Sequence, residues 1–594
     1  NILAVTADDV PGSSFEIELN GTAVDISGGV VNVPDQIPTI QGAISVSDEG
    51  DSILVAAGTY TGTIDFMGKN LVILGEDRET TIIDADHQGT AVNFGDNTGI
   101  DTSTVLAGFT IRNGYGSNGY NNSYGGGIYM YNASPILRDL IIENNFAQNG
   151  GGIYAQGYLS QSPMNNWDNP DKKSLFDNII IRNNQAGWSG GLDVNGSSNH
   201  PGAFILNNLL IEDNEAGGAG GITGGYMVLK NSIIRNNHAT NNEVGGGDFY
   251  TSDLINVLVE GNRGYTTGGL RLRGDNTAIN LTTSNNIPKG WNVADTVDIE
   301  QEGYLTLINS IVMGTLLLTE NSTTNLAYTN TFSDLFIEND QNTTINYYGG
   351  NLSVDAQFAD TTNNDYSLSA LSPCISAGIG SITISDENGN DVEYTAPEDD
   401  LDGNPRPNPD GSLPDLGAYE STYGVAPHYG PVWHVDGSVE LPYGNGGPGS
   451  PYYSIAQGIG AASDGDTVLV YPGTYVENVD FNGKSLVFGS KFLTTGDSSY
   501  ISSTIIDGNQ SGYTVFVDYA DDPVTISGFT IRNGSGPGAG LRIESSEMVT
   551  IDHCHITENQ WYGGNPGAGM FISYSDFIIQ NSEIYDNITS SGGG

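Results

Sequence analysis

The chain has little positive charge, and it lacks long apolar runs. Only 18 of its 594 residues are Lys or Arg, against 71 Asp or Glu, so the formal net charge is −53. A surface of that sign repels nucleic acid and anionic membranes, and we expect neither as a partner. No apolar run reaches the roughly 18 residues that a spanning helix needs, so no membrane insertion is expected. The acidity fits an extracellular or cell-surface location, either as a general adaptation of secreted surfaces or as a means of binding cations.

Cysteine is also scarce. The chain contains only Cys374 and Cys554, far apart in the sequence, so no disulfide framework is expected. Cys554 lies between His553 and His555, but a Cys/His metal site needs more ligands at suitable spacing than this segment offers. We expect Cys554 to pack as a small buried hydrophobe.

A phrase recurs instead: a short β-branched strand that ends at Asn, then a variable gap, then Gly-Gly and usually an aliphatic residue. Successive Asn residues are 31, 39, 31, 22 and 26 positions apart, and self-similarity over roughly 20 to 50 residues indicates a solenoid. Strands this short bury their apolar face only by stacking, at roughly 4.8 Å per coil. We therefore predict an all-β fold, a parallel β-helix. The phrase-ending residues are Asn113, Asn144, Asn183, Asn214, Asn236 and Asn262.

Asn suits the end of each strand for two reasons. It tolerates left-handed backbone angles, and stacked amides can hydrogen-bond along the solenoid axis as a ladder. Gly-Gly suits the next corner, where the backbone takes positive φ and packs closely. Both residue types are therefore expected to serve the architecture, whatever the ligand.

A longer repeat shows that the chain holds two copies of one plan. Gly58-Thr59-Tyr60 reappears as Gly473-Thr474-Tyr475, and residues 108–114 reappear unchanged as 528–534. Segments of helical character precede the two copies and are expected to cap the open ends. The predicted divisions are residues 1–34, a β segment that ends a preceding module; 35–425, a first β-helix with a loop-rich appendix; and 426–594, a linker and a second, incomplete β-helix.

The second copy stops at three glycines, 592–594, where the phrase would continue with another strand. An interrupted coil leaves an apolar edge, so either the natural protein continues or a second molecule covers the edge. Head-to-tail coverage that does not close would build a filament. Self-association is therefore one expectation.

Several motifs together carry a family resemblance. Beside the Gly-Thr-Tyr and Gly-Gly phrases, the chain contains Gly-Phe-Thr-Ile-Arg-Asn-Gly, Asp-Tyr-Ser-Leu before Ser-Pro-Cys, and Asp-Leu-Gly-Ala-Tyr-Glu at 415–420. In these it resembles right-handed parallel β-helix repeat proteins of the pectin-lyase-like superfamily, especially large secreted bacterial surface and adhesin-type proteins. The resemblance implies the fold, but that fold hosts lyases, hydrolases, adhesins and structural proteins alike.

Catalytic signatures are incomplete. Residues 550–553, Thr-Ile-Asp-His, resemble part of a pectate-lyase signature without its aromatic residue, and no second Arg follows Arg406 and Pro407. The strongest catalytic candidates are Arg271 and Arg273, which lie two apart on a strand and so share a face. Arg542 occupies the matching place in the second copy. The alternative for all three is a solvated arginine paired with neighbouring acids.

Aromatic residues crowd the long gaps of the first coils. Loops on a rigid scaffold often carry function, and flat ring faces suit sugar rings. The alternative is that these rings pack the loops onto the solenoid. The predicted glycan-binding residues are Tyr129, Tyr131, Tyr158, Trp167 and Trp188.

A loop in the appendix has alternating oxygen ligands. Asp400, Asp402 and Asn404, with Asp410 nearby, are of the kind that Ca²⁺ prefers, although the distal Glu of an EF-hand is missing. Calcium is therefore a predicted cofactor. Together these observations predict a secreted or cell-surface structural or adhesive β-solenoid that binds polysaccharide or other surface glycans. The alternative is a polysaccharide-active enzyme of the lyase type.

Overall fold

The computed structural model describes most of the chain. The described residues are 3–5, 15–17, 29–96, 99–116, 123–157, 173–196, 204–241, 243–288, 297–332, 335–337, 342–425, 428, 430–439, 444–563 and 567–590. No helix among them is both long and apolar enough to cross a membrane.

The described chain divides into two compact units. Unit 1 comprises residues 1–356, 377–406 and 415–420, and unit 2 comprises 357–376, 407–414 and 421–594. Each unit has its own apolar core, in which Phe66 stacks on Phe94 at 4.3 Å and Phe488 on Phe529 at 4.5 Å. The domain boundaries drawn from the sequence stay a prediction, although Val30–Val33 already pairs in parallel with Ser52–Val55.

Unit 1 is a parallel β-helix with three faces, because equivalent strands of successive coils pair in one 27-stranded sheet. Face 1 contains Val30–Val33, Ser52–Val55, Val72–Gly75, Thr323–Ala327 and Thr344–Tyr347. Face 2 contains Gly58–Thr61, Thr81–Asp84, Thr282–Ser284, Ile311–Val312 and Asn330–Thr331. Long strands bend from face 1 onto face 2: Val105–Arg112, Ile136–Glu143, Ser174–Arg182, Phe204–Glu212, Met227–Arg235 and Asp253–Glu260.

Face 3 of unit 1 begins after the Gly-Gly pairs. Its strands are Ile64–Asp65, Val92–Asp96, Ile128–Tyr131, Ile153–Gln156, Leu192–Asn195, Ile222–Gly225, Gly247–Tyr250, Thr315–Leu318 and Leu335–Ile337. Leu270–Ile279 and Val297–Ile308 run from face 3 onto face 1. A narrow six-stranded sheet precedes the Gly-Gly pairs: Phe146–Ala147, Gln185–Ala186, Glu215–Ala216, His238–Ala239, Arg263–Gly264 and Ile287–Pro288.

Two antiparallel pairs complete unit 1. They are Leu3–Val5 with Phe15–Ile17, and Ser381–Ser385 with Asp391–Thr395.

Unit 2 repeats the plan with separate sheets. One face contains Val432–Val435, Thr467–Val470, Val487–Ser490, Val524–Ser527, Val549–Asp552 and Phe577–Gln580. The next contains Gly473–Val476, Thr504–Asp507, Thr530–Arg532, His555–Thr557 and Glu583–Tyr585. The third contains Val479–Asp480, Val515–Asp518, Leu541–Glu544 and Met570–Ser573. Gln560–Trp561 pairs with Ile588–Thr589, and Phe358–Asp360 with Asp365–Leu368 around the 3₁₀ turn Thr361–Asn363.

Both predicted cap segments are helices, α1 (Ile40–Val46) and α2 (Ile455–Ala461). Each buries apolar residues against its first coils and begins at a hydroxyl N-cap, Thr39 or Ser454. The last carbonyls of both helices are held in the same way, because Lys69 and Lys484 donate their ammonium hydrogens to them. The short helices α3 (Phe492–Thr495) and α4 (Ser499–Ser503) occur only in unit 2 within the described chain.

The structure corrects the prediction that one Asn per coil turns the corner and also forms the ladder. Two consecutive residues share these roles. The first takes left-handed backbone angles, as at Asn236, where φ is 54°. The second is buried and forms the ladder, as at Asn237. Of the six phrase-ending Asn residues predicted from the sequence, only Asn214 and Asn262 are ladder residues. The ladder comprises Asn145, Asn184, Asn214, Asn237, Asn262 and Asn286.

Each ladder amide is fully used. Asn237 Nδ2 donates to Ile211 O at 2.8 Å and to Asn262 Oδ1 at 3.0 Å, and Asn237 Oδ1 accepts from both nitrogens of Asn214. The ladder ends on Asp298, whose Oδ1 accepts from Asn286. Burial raises the pKa of Asp298 to about 6. The ladder therefore runs into a buried carboxyl group that is costly to ionise.

Replacing a ladder residue is expected to cost far more than replacing its neighbour. Asn237→Ala leaves buried donors and acceptors of Asn214, Asn262 and Ile211 unpaired, at roughly 1–3 kcal/mol for each group. The matched control is Asn236→Gly, because Gly261 already occupies that corner in the next coil with φ of 64°. We expect urea unfolding to show a loss of about 3 kcal/mol or more for Asn237→Ala and little change for Asn236→Gly. Equal losses would contradict the division of roles.

Candidate functional site

A column of side chains points outward from face 3 of unit 1. It is formed by the second residue of each strand, since the first and third residues belong to the core. The residues that precede each Gly-Gly lie over this column and partly cover it. Ser189, for example, donates its hydroxyl to Thr223 at 2.7 Å. In register, the column reads Tyr129, Tyr154, Asp193, Thr223, Asp248, Arg271 and Glu300.

Arg271 is the centre of an ion-pair network in this column. Its Nη2 donates to Asp248 and, at 2.7 Å, to Glu243. Arg273, two residues on, contacts the same Asp248 at 2.8 Å. Burial lowers the pKa of Arg271, but the hydrogen bonds and charges of Asp248 and Glu243 outweigh burial and raise it. Arg271 therefore keeps its proton and is poorly suited to act as a base.

Arg542 lies in the corresponding column of unit 2, between Phe516 and Phe571 in register. It forms an ion pair with Glu544, and its guanidinium lies 5.1 Å from the ring centre of Phe571 and 4.8 Å from that of Tyr513. All three predicted arginines are thus paired with acids. Their catalytic role stays a prediction, and the geometry fits the alternative interpretation.

An open groove of about 450 Å³ lies beside this network. Trp188, 45% exposed, and Tyr265 are its two aromatic residues, and Glu243, the partner of Arg271, also lines it. The groove crosses four successive coils, which corresponds to about 14 Å along the axis at 4.8 Å per coil. The other lining residues are Gly187, Gly217, Thr240 and Asn241.

Glycine keeps the groove open. A Cβ at Gly217 would lie 2.5 Å from the carbonyl oxygen of Gly187, and one at Gly218 would lie 3.1 Å from the Trp188 ring. Neither distance is tolerable without movement of the backbone or the ring. The groove therefore depends on glycines that lie outside the Gly-Gly pairs singled out in the sequence.

The remaining predicted glycan-binding residues have different positions. Tyr129 stacks on Tyr154 with ring centres 5.8 Å apart, and Tyr124 also contacts Tyr154. Among the described residues, neither Tyr129 nor Tyr131 lines the groove. Tyr129 is thus part of an aromatic stack that packs a loop onto the coil, which was the alternative for these rings.

Two further predictions fall outside the described residues. Tyr158 and Trp167 lie in the stretch 158–172. Their part in glycan binding stays a prediction.

In the predicted calcium loop, the carboxylate of the first predicted ligand, Asp400, is already hydrogen-bonded within the protein. Asp400 Oδ1 accepts from the backbone nitrogens of Asp402 and Asn404, and its Oδ2 accepts from Asn404 Nδ2 and from Glu420 N. Four donors therefore compete with any cation for this carboxylate. Asp410 belongs to unit 2. Calcium binding stays a prediction, and within the described residues no group of three His, Cys, Asp or Glu could hold a metal.

The same loop carries a buried ion pair. Arg406 Nε lies 3.5 Å from Glu420 Oε2, and both side chains are fully buried. Arg406 also donates to the carbonyl of Asp415, and Asn280 on the β-helix donates to that carbonyl too. These contacts dock the appendix onto unit 1, which explains why Arg406 stands before Pro407 without a catalytic partner.

Comparison with known proteins agrees with this fold. Residues 463–593, which lie in unit 2, match the family model described as "Right handed beta helix region". The match agrees with the parallel β-helix that the repeats predict and with the right-handed fold that the family resemblance implies. No curated protein matches the sequence.

Two solved structures are similar in part. One is the PL6 family alginate lyase AlyGC, with 12% identity, 93% of this chain and 78% of that chain covered, and a TM-score of 0.29. The other is the pectate lyase Pel9A, with 15% identity, 64% of this chain and 90% of that chain covered, and a TM-score of 0.35. Sequence identity and structural similarity this low do not show that the activity is shared.

Asp193, in the same outward column, gives a testable pH dependence. Burial raises its pKa to about 6, well above the usual range for an aspartate. A group whose folded pKa is raised binds its proton more tightly when folded, so its contribution to stability falls as pH rises from about 4 to 6. We compare the free energy of unfolding of Asp193→Asn with that of wild type by urea unfolding. We expect this difference to shift in favour of the variant by about 3 kcal/mol between pH 4 and pH 7. Asp86→Asn, at an exposed position, is the control. Identical pH slopes for wild type and Asp193→Asn would contradict this expectation.

Proposed function

We propose that this protein is a secreted or cell-surface β-solenoid that binds glycans, without catalysis, in the groove between Trp188 and Tyr265. The observation that carries the proposal is the groove itself: an exposed indole and a phenol, several coils apart, on a floor kept open by glycine. Ring faces stack on the apolar faces of sugars, and the polar groups between them can pair with hydroxyls.

The charges in the groove favour a neutral glycan. Among the described residues that line it, Glu243 is the one carboxylic acid, and its carboxylate already bonds Arg271. Thr240 and Asn241 offer neutral hydrogen-bonding groups beside it. A net charge of −53 repels anionic polymers at long range. Neutral hydroxyl-rich chains meet neither obstacle.

The arginine network supports a binding role over chemistry. A lyase needs a group that takes a proton from the substrate, and a positive charge that neutralises an adjacent carboxylate. Arg271 keeps its proton, and its charge is shared with Asp248 and Glu243. A rigid solenoid with a sugar groove is suited to adhesion, because many weak contacts along one axis add up. Head-to-tail assembly would extend that axis and is included in the proposal.

Removing the exposed indole tests the site. We expect Trp188→Ala to weaken binding to neutral polysaccharides about tenfold, because one ring contact contributes about 1.4 kcal/mol. Tyr519→Ala removes an even more exposed ring from unit 2 and is the matched control. Glycan-array screening followed by titration calorimetry measures both. A wild-type protein that binds no glycan, or a Trp188→Ala variant that binds as well as wild type, would refute the proposal.

The absence of catalysis is tested separately. The protein is incubated with neutral and with uronic-acid polymers. We expect no unsaturated products, which ultraviolet absorbance would detect, and no new reducing ends. If unsaturated products form and Arg271→Lys abolishes them, the protein is a lyase and the groove is its substrate cleft; new reducing ends without unsaturation would indicate hydrolysis.

A further inference from the structure

The two copies of the plan serve as controls for each other. Tyr60 and Tyr475 occupy matched positions, and each donates its hydroxyl to the carbonyl four residues earlier, at 2.9 Å. Those carbonyls belong to Ala56 and Tyr471, so the backbone is held in the same way at both places. Residues common to the copies serve the fold, whereas a difference between them at an equivalent backbone position needs another explanation.

Three such differences fall together in unit 2. The strand pairings match Asn32 with His434, because each pairs with a Leu of the following coil, Leu54 or Leu469. The other two positions directly follow the next two strands of the same face. After the first of these strands, unit 1 has Ala56 and unit 2 has Tyr471; after the second, unit 1 has Glu76 and unit 2 has Lys491. We call His434, Tyr471 and Lys491 the His434 cluster.

An insertion occurs at the same place. The connection between Val487–Ser490 and Thr504–Asp507 is residues 491–503, whereas its counterpart in unit 1 is residues 76–80. The extra residues form α3 and α4 directly after Lys491. The ring of Phe492 in α3 packs against that of His553, with ring centres 4.4 Å apart and the planes tilted by 36°, which anchors the insertion. Side-chain changes and added chain thus accumulate at one point of an otherwise repeated scaffold, as expected where loops carry function.

The cluster brings three polar groups of different chemistry together. His434 Nδ1 lies 3.1 Å from the Tyr471 hydroxyl, and Lys491 Nζ lies 4.6 Å above the centre of the Tyr471 ring. All three side chains are half-buried. Within the described residues, no carboxylate forms an ion pair with Lys491, in a chain that has about four acids for every base. Lys69 and Lys484, by contrast, are used by the cap helices.

The protonation states suit the capture of an anion. Burial, followed by the charges of Lys491 and His428, lowers the pKa of His434, so its ring is neutral at pH 7. Burial and the charge of Asp436 raise the pKa of Tyr471, so the phenol keeps its proton. The hydrogen bond between His434 and Tyr471 uses one of the two protons of this neutral pair, so one ammonium charge and one free neutral donor lie within a few ångströms of each other.

We propose that the His434 cluster is a binding site for an oxyanion, a carboxylate or a phosphate group, carried by a small molecule or by a sugar. Lys491 supplies the charge, and the His434–Tyr471 pair supplies one hydrogen-bond donor to the oxygen atoms, either the Tyr471 hydroxyl or the His434 ring N–H that their mutual bond leaves free. This site is separate from the Trp188 groove and does not depend on it.

The first copy supplies the test variants. Lys491→Glu and Tyr471→Ala install the residues that the same backbone carries in unit 1, so both variants are expected to fold, with unchanged circular dichroism and melting temperature. The probes are inorganic phosphate and acetate, with chloride as the reference anion, measured by titration calorimetry. Lys230→Glu makes the same charge change on unit 1 and is the control.

We expect wild type to bind phosphate or acetate, Lys491→Glu to weaken that binding at least tenfold, and Lys230→Glu to leave it unchanged. A preference for phosphate over acetate, or the reverse, identifies the kind of oxyanion. Wild type that binds neither probe would overturn the proposal. Equal weakening by Lys491→Glu and Lys230→Glu would overturn it as well, because the effect would then come from net charge alone.

Discussion

The buried asparagine ladder is the constraint on which the first β-helix depends. Each ladder amide donates to a backbone carbonyl and to the next Asn oxygen, while that oxygen also accepts a backbone N–H, as in the contact between Asn214 and Asn237. A coil that slipped by one residue would leave several buried polar groups unpaired and would turn its apolar side chains outward. The ladder therefore fixes the register of the coils, and the variable gaps between Asn and Gly-Gly absorb the differences in coil length.

Fixed register has a chemical consequence on face 3. Because equivalent residues stack at one coil spacing, any polar residue placed second after Gly-Gly faces its counterparts in the coils before and after it. This brings Asp248 against Arg271 and Arg271 against Glu300. The same stacking brings Trp188, Gly217 and Tyr265, which belong to different coils, to one groove. Both the ion-pair network and the groove thus follow from a ladder on another part of the coil.

The sequence predicted the architecture well because the fold repeats. Six copies of the Asn and Gly-Gly phrase define the coils, and the two Gly-Thr-Tyr copies define the two helices and their caps. The ladder residue was misplaced in most coils because Asn is frequent at both adjacent positions, 144 with 145 and 183 with 184, and only burial separates them. Asp193 and Asp248 were missed, although aligning the residues after each Gly-Gly would have shown acids at the position that Arg271 also occupies.

The site was harder to predict because it arises between coils. Trp188 was identified because it follows the aromatic-rich gaps of the first coils. Tyr265 lies three coils later and, like Trp188, is the one aromatic residue of its own gap, so no local pattern marks it. Glu243 likewise has meaning only through its contact with Arg271. Periodic information fixes what every coil shares, whereas a groove is made of the residues in which coils differ.

Divergence between the two copies locates chemistry in the same way. A net charge of −53 opposes the approach of any anion, but salt screens exposed charges beyond about 8 Å at physiological ionic strength. Within that range the contacts of the His434 cluster dominate: an ammonium group without a carboxylate partner in the described chain, placed over a phenol ring. Where unit 1 has Glu76 at this position, its carboxylate accepts from the backbone nitrogen of Ala57. At the position of Ala57, unit 2 has Pro472, which has no backbone N–H, so a carboxylate at position 491 would lack that partner. Lys491 instead places a positive charge over the Tyr471 ring, and this is the charge that we infer an anion uses.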